Sequence, residues 1–488
     1  MIRLTRVLAF LGAALLLLLA VIAVRAVTWK PPVWGEKASL AAEVPVDPAR
    51  AAAHLGEAVR FRTVSNQDPA RNEWGEWDRL HAWLAVTYPG VHRVMRRETV
   101  AGRTLIYVWP GSDPALKPVV LMAHEDVVPA QDDRPIRCGH PAFEGVLDCG
   151  AVWGRGTLDD KGSLVALMES AETLIARGFA PRRTLYFVFG HDEEAGGTGA
   201  TAAAAWLAAR SVQPLFVLDE GGLGLAQDPL NGRPVAFIGV TEKGYATLKV
   251  TARGVGGHSS APPRRTAAHV LARAVDRIAS RPFPLKFDGV SARTIEGLAA
   301  GSSGMKRALV ANAWLFGPVI ADAVGQVPSG AATLHTTIAP TVLQGSPKEN
   351  VLPQTATALI NYRLHPRDSL QSAMARARRA VGDLPVELEW LPGAAGAAPT
   401  ASTTSAEWNV LAALARESVG APPVPGLLTG ATDGRRMTRL TPNVYRFLPV
   451  LVDRRELDGF HGSHEHLSAA NVERMLKFYT RLMLTTAG

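Results

Sequence analysis

Three apolar runs in this sequence stop on acidic or histidine residues: VVLMAHEDVVP, FVFGHDEEAGG and FVLDEGG, which carry His124 and Asp126, Glu193 and Glu194, and Asp219 and Glu220. A buried charge costs on the order of several kcal/mol unless something compensates it, so either the runs end in solvent or a cation sits close by. With TLIYVW before them, the runs read as buried strands at 104–109, 119–123, 184–189 and 215–218. Between the second and third lies SLVALMESAETLIARG, apolar at 164, 165, 167, 168, 171, 174 and 175 and closed by Gly178, which predicts a helix. Strand and helix in alternation specify a parallel α/β sheet. Open sheets of that class gather ligands at the carboxyl ends of their strands, where these acids and the histidine fall.

The glycine-rich turn WGRGTLDDKGS adds Asp159 and Asp160 just before the helix. Taken singly, each residue has a plain reading: an acid after a strand forms a turn, Asp159 or Asp160 caps the helix that begins near Lys161, and a strand-end histidine is a satisfied surface group. Taken together on one sheet edge, that many carboxylates repel one another unless divalent cations neutralise them. Nitrogen and carboxylate ligands without thiolate suit zinc or a similar borderline metal in a hydrolytic site. Adjacent glutamates can then divide labour: one binds metal while the other shuttles a proton.

At 488 residues the chain exceeds one ordinary core, and 47% hydrophobic against 20% charged residues is globular composition, so two domains are expected. From Lys243 the pattern changes. YATLKVTARG alternates like a half-exposed strand, a helix follows at 266–279, and TATALINYRLHP and VELEWLP return as strands, which predicts a smaller α+β domain at 243–396 inserted into a discontinuous larger one at 47–242 and 397–488. The larger domain resumes with the helical segments SAEWNVLAALARESVG and SAANVERMLKFYTRLM. Residues 286–330 exceed what a minimal lid requires and read as an insertion packing over a cleft or against a partner. The net charge of +8 is scattered, with no basic stripe interleaved with aromatics, which argues against nucleic acid as a partner.

The amino terminus places Arg3 and Arg6 before eighteen uninterrupted apolar residues, Val7 to Val24. This is an export signal that just reaches spanning length. Residues 7–24 serve as an uncleaved anchor with the body on the periplasmic or extracytoplasmic side, or residues 1–26 are a signal peptide removed after Ala26. A Pro-rich linker, 27–46, follows. The two cysteines, Cys138 and Cys149, are eleven residues apart and in an exported protein close one small loop as a disulfide; the alternative is two free thiols.

The segments MAHEDVVP, GRGTLDDKGS, GHDEEAGGTGA, LDEGG, GGHSSAPP, NYRLHP, TGATDGRRM and FHGSHEHLS resemble, in order, those of the co-catalytic dinuclear zinc peptidases and amidohydrolases. The likeness covers about residues 50 to 480, and is nearest to the carboxypeptidase S and N-fatty-acyl-amino-acid synthase/hydrolase branch. It implies a phosphorylase/aminopeptidase-like doubly wound zinc-binding domain with an inserted ferredoxin-like lid. It also implies two zinc ions, with cobalt or manganese as alternatives, bridged by Asp159. One would be completed by His124 and Asp219, or Glu220 in its place, the other by Glu194 and His461. His461 is chosen among the three histidines of its segment for its His-x-x-x-Glu spacing to Glu465. Glu193 would be general base and then acid, and Asp126 would orient His124. His258 would stabilise the oxyanion, in relatives often from a partner subunit, which implies a homodimer through the lid. Asn350, Arg363 and Arg435 would hold a substrate carboxylate, although Arg363 reads equally well as an ordinary surface strand residue.

The expected activity is therefore hydrolysis of an amide beside a free carboxylate, in a small peptide or an N-acyl-amino acid, through water held between the two zinc ions. A catalytically silent peptide- or metal-binding protein on the same scaffold is the competing reading. It requires loss of a ligand or of the base, yet all five ligand positions and Glu193 are present.

Overall fold

The structure, a computed structural model, describes residues 2–36, 38–130 and 138–488. The chain divides into two compact units: Pro32–Val240 with Thr400–Gly426 and Thr432–Gly488, and Met1–Pro31 with Thr241–Pro399 and Leu427–Ala431.

The larger unit is built on an eight-stranded sheet in the order Arg96–Val100, Thr104–Trp109, Leu185–Gly190, Val119–His124, Phe216–Leu225, Val444–Val452, Val235–Glu242 and Pro423–Leu428. Its centre is parallel: Val119–His124 pairs in parallel with both Leu185–Gly190 and Phe216–Leu225, which in turn pairs in parallel with Val444–Val452. Every residue of Val119–His124 is buried, the mark of a strand covered on both faces, so its run is continuously apolar instead of alternating. Helix Lys161–Ala176 packs against this strand and against the C-terminal helix Ala469–Ala487, where the Tyr479 hydroxyl donates to Ser163 Oγ at 3.3 Å. Helix Ala406–Val419 begins on a Ser405 side chain that accepts from the Trp408 N–H and ends at Gly420 in the left-handed conformation, φ 69°.

Register decides where the site falls. Val119–His124 runs level with Leu185–Gly190 as far as the His124 and Gly190 pair, while its pairing with Phe216–Leu225 stops at Leu121 and Leu218. The strands thus part where the acidic residues begin. A small three-stranded sheet joins Val146–Asp148, Ala151–Trp153 and His466–Ser468, so the glycine-rich turn after Trp153 and the C-terminal histidine segment lie side by side. Cys138 and Cys149 form a disulfide beside that sheet. The residues expected as a linker lie against the larger unit: Ala41 donates to Thr485 Oγ1 at 3.0 Å and accepts from Arg481 at 2.7 Å.

The smaller unit holds a four-stranded antiparallel sheet in the order Thr337–Gln344, Thr355–Leu364, Gly244–Arg253 and Val386–Trp390. With helices Ala267–Ala279 and Leu370–Val381, the chain order is strand, helix, strand, strand, helix, strand, a ferredoxin-like arrangement. TATALINYRL alternates between buried and more exposed positions along its whole length, as one face meets the helices and the other does not. The buried face joins Leu248, Val250, Ile360, Val270 and Ala377 into one core. Four helices, Gly289–Leu298, Gly304–Ala311, Ala313–Gly325 and Pro328–Leu334, occupy the stretch that exceeds a minimal lid. The amino-terminal helix Ile2–Thr28 also belongs to this unit and packs on Gly304–Ala311.

Ile360 is fully buried in the core of the smaller unit. I360A is expected to destabilise that unit by about 2–5 kcal/mol, the usual range for such a truncation. Calorimetric unfolding of the variant beside the parent checks this; an unchanged transition would show that the helices do not rest on this sheet face as described.

Candidate metal centre

Asp159 is the hub of the acidic edge. Its Oδ1 lies 2.8 Å from His124 Nε2 and its Oδ2 lies 2.6 Å from His461 Nε2, so each oxygen of one buried carboxylate faces a different histidine. His461 Nε2 is also 3.1 Å from Glu194 Oε1. Potential ligand atoms of His124, Asp159 and Glu220 lie within 4.8 Å of one another, as do those of Asp159, Glu194 and His461, and those of His124, Glu193 and Glu194. Two overlapping ligand sets therefore share Asp159.

The backbone around them is braced. The carboxylate of Glu465 accepts from Arg155 at 2.6 Å and from the N–H groups of Gly156, Leu158 and Asp159 at 3.0, 2.8 and 3.1 Å, which locks the turn that presents Asp159. Arg155 also donates to the carbonyl of Gly462 at 2.8 Å, tying the same turn to the His461 segment. Asp126 does the equivalent for the glutamates: Oδ1 accepts from the N–H of Glu193 at 3.0 Å and Oδ2 from that of Glu194 at 3.1 Å, while Ser65 donates to Oδ2 at 2.5 Å. Its backbone carbonyl lies 2.9 Å from His124 Nδ1, leaving Nε2 for the cluster.

The electrostatics show what the cluster lacks. Burial, reinforced by Asp433, Asp159 and Glu194, holds the Glu193 carboxyl well above the usual carboxylate range. Burial, with Asp159, Asp219, Glu193 and Asp160 around it, does the same to Glu220. Asp160 and Asp433 are pushed up for the same reasons. Asp159 goes the other way: burial opposes its ionisation, but His124 and His461 outweigh it. Hydrogen bonds from its imidazole to the Asp159 and Glu194 carboxylates lift His461 to about 10. A cluster of this kind holds its negative charges together only with cationic partners, and mixed imidazole and carboxylate donors suit borderline divalent ions.

The sequence-predicted residues fall as follows. His124, Asp126, Asp159, Glu193, Glu194 and His461 meet in the larger unit. Of the fourth-strand pair, Glu220 faces His124 and Asp159, whereas Asp219 accepts from the Gly434 N–H at 2.5 Å and bonds the Thr432 side chain. Consecutive strand residues point to opposite sides, so one of the two had to turn away. Of the two alternatives for the fourth-strand ligand, Glu220 is the one whose carboxylate lies near His124 and Asp159. Arg435 sits half-buried in the 3-10 segment Asp433–Arg439 of the larger unit. In the smaller unit, His258 and Asn350 come together, since strands Gly257–His258 and Val351–Leu352 pair and Ser259 donates to the Asn350 carbonyl at 3.1 Å. Arg363 lies on Thr355–Leu364 with its guanidinium 4.7 Å from the Tyr245 ring centroid.

Residues 120–485 match the pattern of peptidase family M20/M25/M40. The chain belongs to that family. It is 35% identical to the probable carboxypeptidase S-like 2 of Dictyostelium discoideum over 89% of this chain and 85% of the relative. It is likewise 35% identical to the N-fatty-acyl-amino acid synthase/hydrolase of Homo sapiens, over 87% and 84%. A solved M20 metallo-carboxypeptidase from Sulfolobus solfataricus shares the fold at a TM-score of 0.63 and 16% identity, covering 89% of this chain and 99% of that one. This M20 protein is thus a hydrolase of the metallo-carboxypeptidase and amidohydrolase kind, and side chains able to hold metal are present in it.

Two contributors escaped the sequence reading. Arg155 stands inside GRGTLDDKGS and Asp433 inside TGATDGRRM, so both lay in segments already singled out, but only the fold shows their contacts. Asp433 is buried against the strand end and the loop after it, where a Cβ on Gly190 or Gly197 would collide with its carboxylate. Glu465, read only as a spacing partner of His461, is the brace of the Asp159 turn. E465Q replaces an acceptor of four hydrogen bonds with a group that must present one N–H side to them. Metal affinity is expected to fall about 10–100-fold, as read by competitive chelator titration; equal affinity would mean the turn is held without this carboxylate.

Proposed function

We propose that this protein is an exported, dinuclear metal-dependent amidohydrolase that cleaves an amide bond beside a free carboxylate, in a C-terminal peptide bond or an N-acyl-amino acid. Asp159 would serve both ions, with His124 and Glu220 holding one and Glu194 and His461 the other. Zinc fits these donors, with cobalt or manganese as alternatives. The observation that carries the reading is the division of one carboxylate between two histidines, with an acid from the Glu193–Glu194 pair left over.

Ions bound there would polarise the scissile carbonyl and acidify the attacking water. Glu193, whose backbone is fixed by Asp126 and whose carboxyl has a raised pKa from burial and its acidic neighbours, takes the proton from that water and passes it to the leaving amine nitrogen. His258 stabilises the developing oxyanion, and Asn350, Arg363 and Arg435 bind the substrate carboxylate, as their motifs imply. The relatives' names, carboxypeptidase S-like and N-fatty-acyl-amino acid synthase/hydrolase, support this substrate class.

The amino-terminal helix serves as a retained anchor, with the body on the extracytoplasmic side. Residues Arg6–Thr28 form 23 helical residues with a window of mean hydropathy 3.1, none of that window buried in protein. Three side chains of the insertion and the helix end support retention: Asn312 donates to the Ile22 carbonyl at 3.1 Å, Arg25 to the Ala311 carbonyl at 3.2 Å, and Arg307 to the Ala26 carbonyl at 2.7 Å.

E193Q is expected to retain bound metal and the parent fold while turnover of N-acyl-amino acids and blocked dipeptides falls about 10²–10⁴-fold. Metal analysis beside initial rates checks this, and parental rates in the variant would refute the role of Glu193. In the parent, a strong chelator is expected to abolish hydrolysis and added zinc to restore it; hydrolysis that survives metal-free dialysis would exclude the metal mechanism.

A further inference from the structure

The helices inserted in the smaller unit present an apolar face that its own core leaves uncovered. Gly304–Ala311 and Ala313–Gly325 meet at Asn312 in a bend of 118°. The second helix, AWLFGPVIADAVG, has a single charged residue, Asp322. It buries Gly317, Ile320 and Ala321 inward, Gly317 facing Phe287. A surface helix with that inner stripe would carry polar residues outside. Here the outer stripe at 314, 315, 318 and 319 is Trp, Leu, Pro and Val, with Trp314 59% and Val319 55% exposed. Met305, on the first helix, is 76% exposed. A contiguous patch of this kind marks a contact surface.

The occupant follows from what the bend is bound to. Asn312 reaches the carbonyl of Ile22, only six residues from Thr28 where the apolar helix ends, or about 9 Å along its axis. Arg25 and Arg307 bond across the same contact, and the Arg307 guanidinium sits 5.3 Å from the Trp29 ring centroid. Arginine and tryptophan at the end of an apolar span are the groups that settle at the lipid and water boundary. Trp314 and Leu315 follow Asn312 by two and three residues, close in sequence to the contact with the end of the span.

We infer that the bend Gly304–Gly325 is a second membrane contact, seated in the leaflet where the anchor emerges, with Met305, Trp314, Leu315, Pro318 and Val319 among the acyl chains. The bilayer then holds the smaller unit at two points, one spanning and one interfacial. This inference rests on the proposed retained anchor and on nothing in the proposed chemistry.

The unmodified full chain, reconstituted in phosphatidylcholine and phosphatidylglycerol nanodiscs doped with a phospholipid carrying an acyl-chain diazirine, tests it. After irradiation, lipid adducts are expected on peptides covering both 7–28 and 305–325. Adducts on 7–28 alone would overturn the inference while leaving the anchor intact; adducts on neither would remove both. In the double variant W314E and V319E, adducts on 305–325 are expected to fall at least tenfold with those on 7–28 unchanged. In a chain carrying a diazirine amino acid at position 315, photo-crosslinks to a second copy of the chain in place of crosslinks to lipid would assign the patch to that copy and overturn the inference.

Discussion

The structure of the larger unit is organised around one carboxylate shared by two histidines. Asp159 reaches His124 with one oxygen and His461 with the other, residues 35 and 302 positions away in sequence. Holding them requires that three distant parts of the chain be fixed to within hydrogen-bond reach, in a place where four further carboxyl groups, Glu193, Glu194, Glu220 and Asp160, also gather. Burial first, and then the mutual repulsion of those groups, raises the pKa values of Glu193, Glu220 and Asp160, and divalent ions would relieve that repulsion.

The fold meets this demand by bracing backbone instead of side chains. Asp126 holds the N–H groups of both glutamates, and Glu465 holds three N–H donors of the Asp159 turn together with Arg155. Both braces are charge-assisted and buried, the setting in which such bonds resist exchange with water. The side chains of the cluster are thereby left free of bracing duties, while the backbone that carries them is hydrogen-bonded in place.

The smaller unit follows a different logic. Its ferredoxin-like core has the usual half-covered sheet, yet the insertion between its first helix and second strand buries little of the outer face of Ala313–Gly325 and binds the end of the anchor helix. The segment that sequence reading left as packing over a cleft or against a partner is bonded to a helix that, among the described residues, is long and apolar enough to span a bilayer.

Local pattern decided much of this protein in advance. The continuous apolar runs, the period of the helix at 161–176 and the two-residue alternation of TATALINYRL specified which elements form, because each records a backbone geometry and a degree of burial within a few residues. The order of the motifs pointed to the family. Local pattern was silent wherever an answer required the direction of a side chain or a contact across the chain. The choice between Asp219 and Glu220 depends on which way the strand end faces, and Asp433 and Arg155 acquire meaning only from neighbours hundreds of residues away. The amino-terminal run announced its length and apolarity by itself; that Asn312 and Arg307 grip its end was decided by tertiary packing, since hydrogen bonds between segments so distant leave no periodicity in the sequence to read.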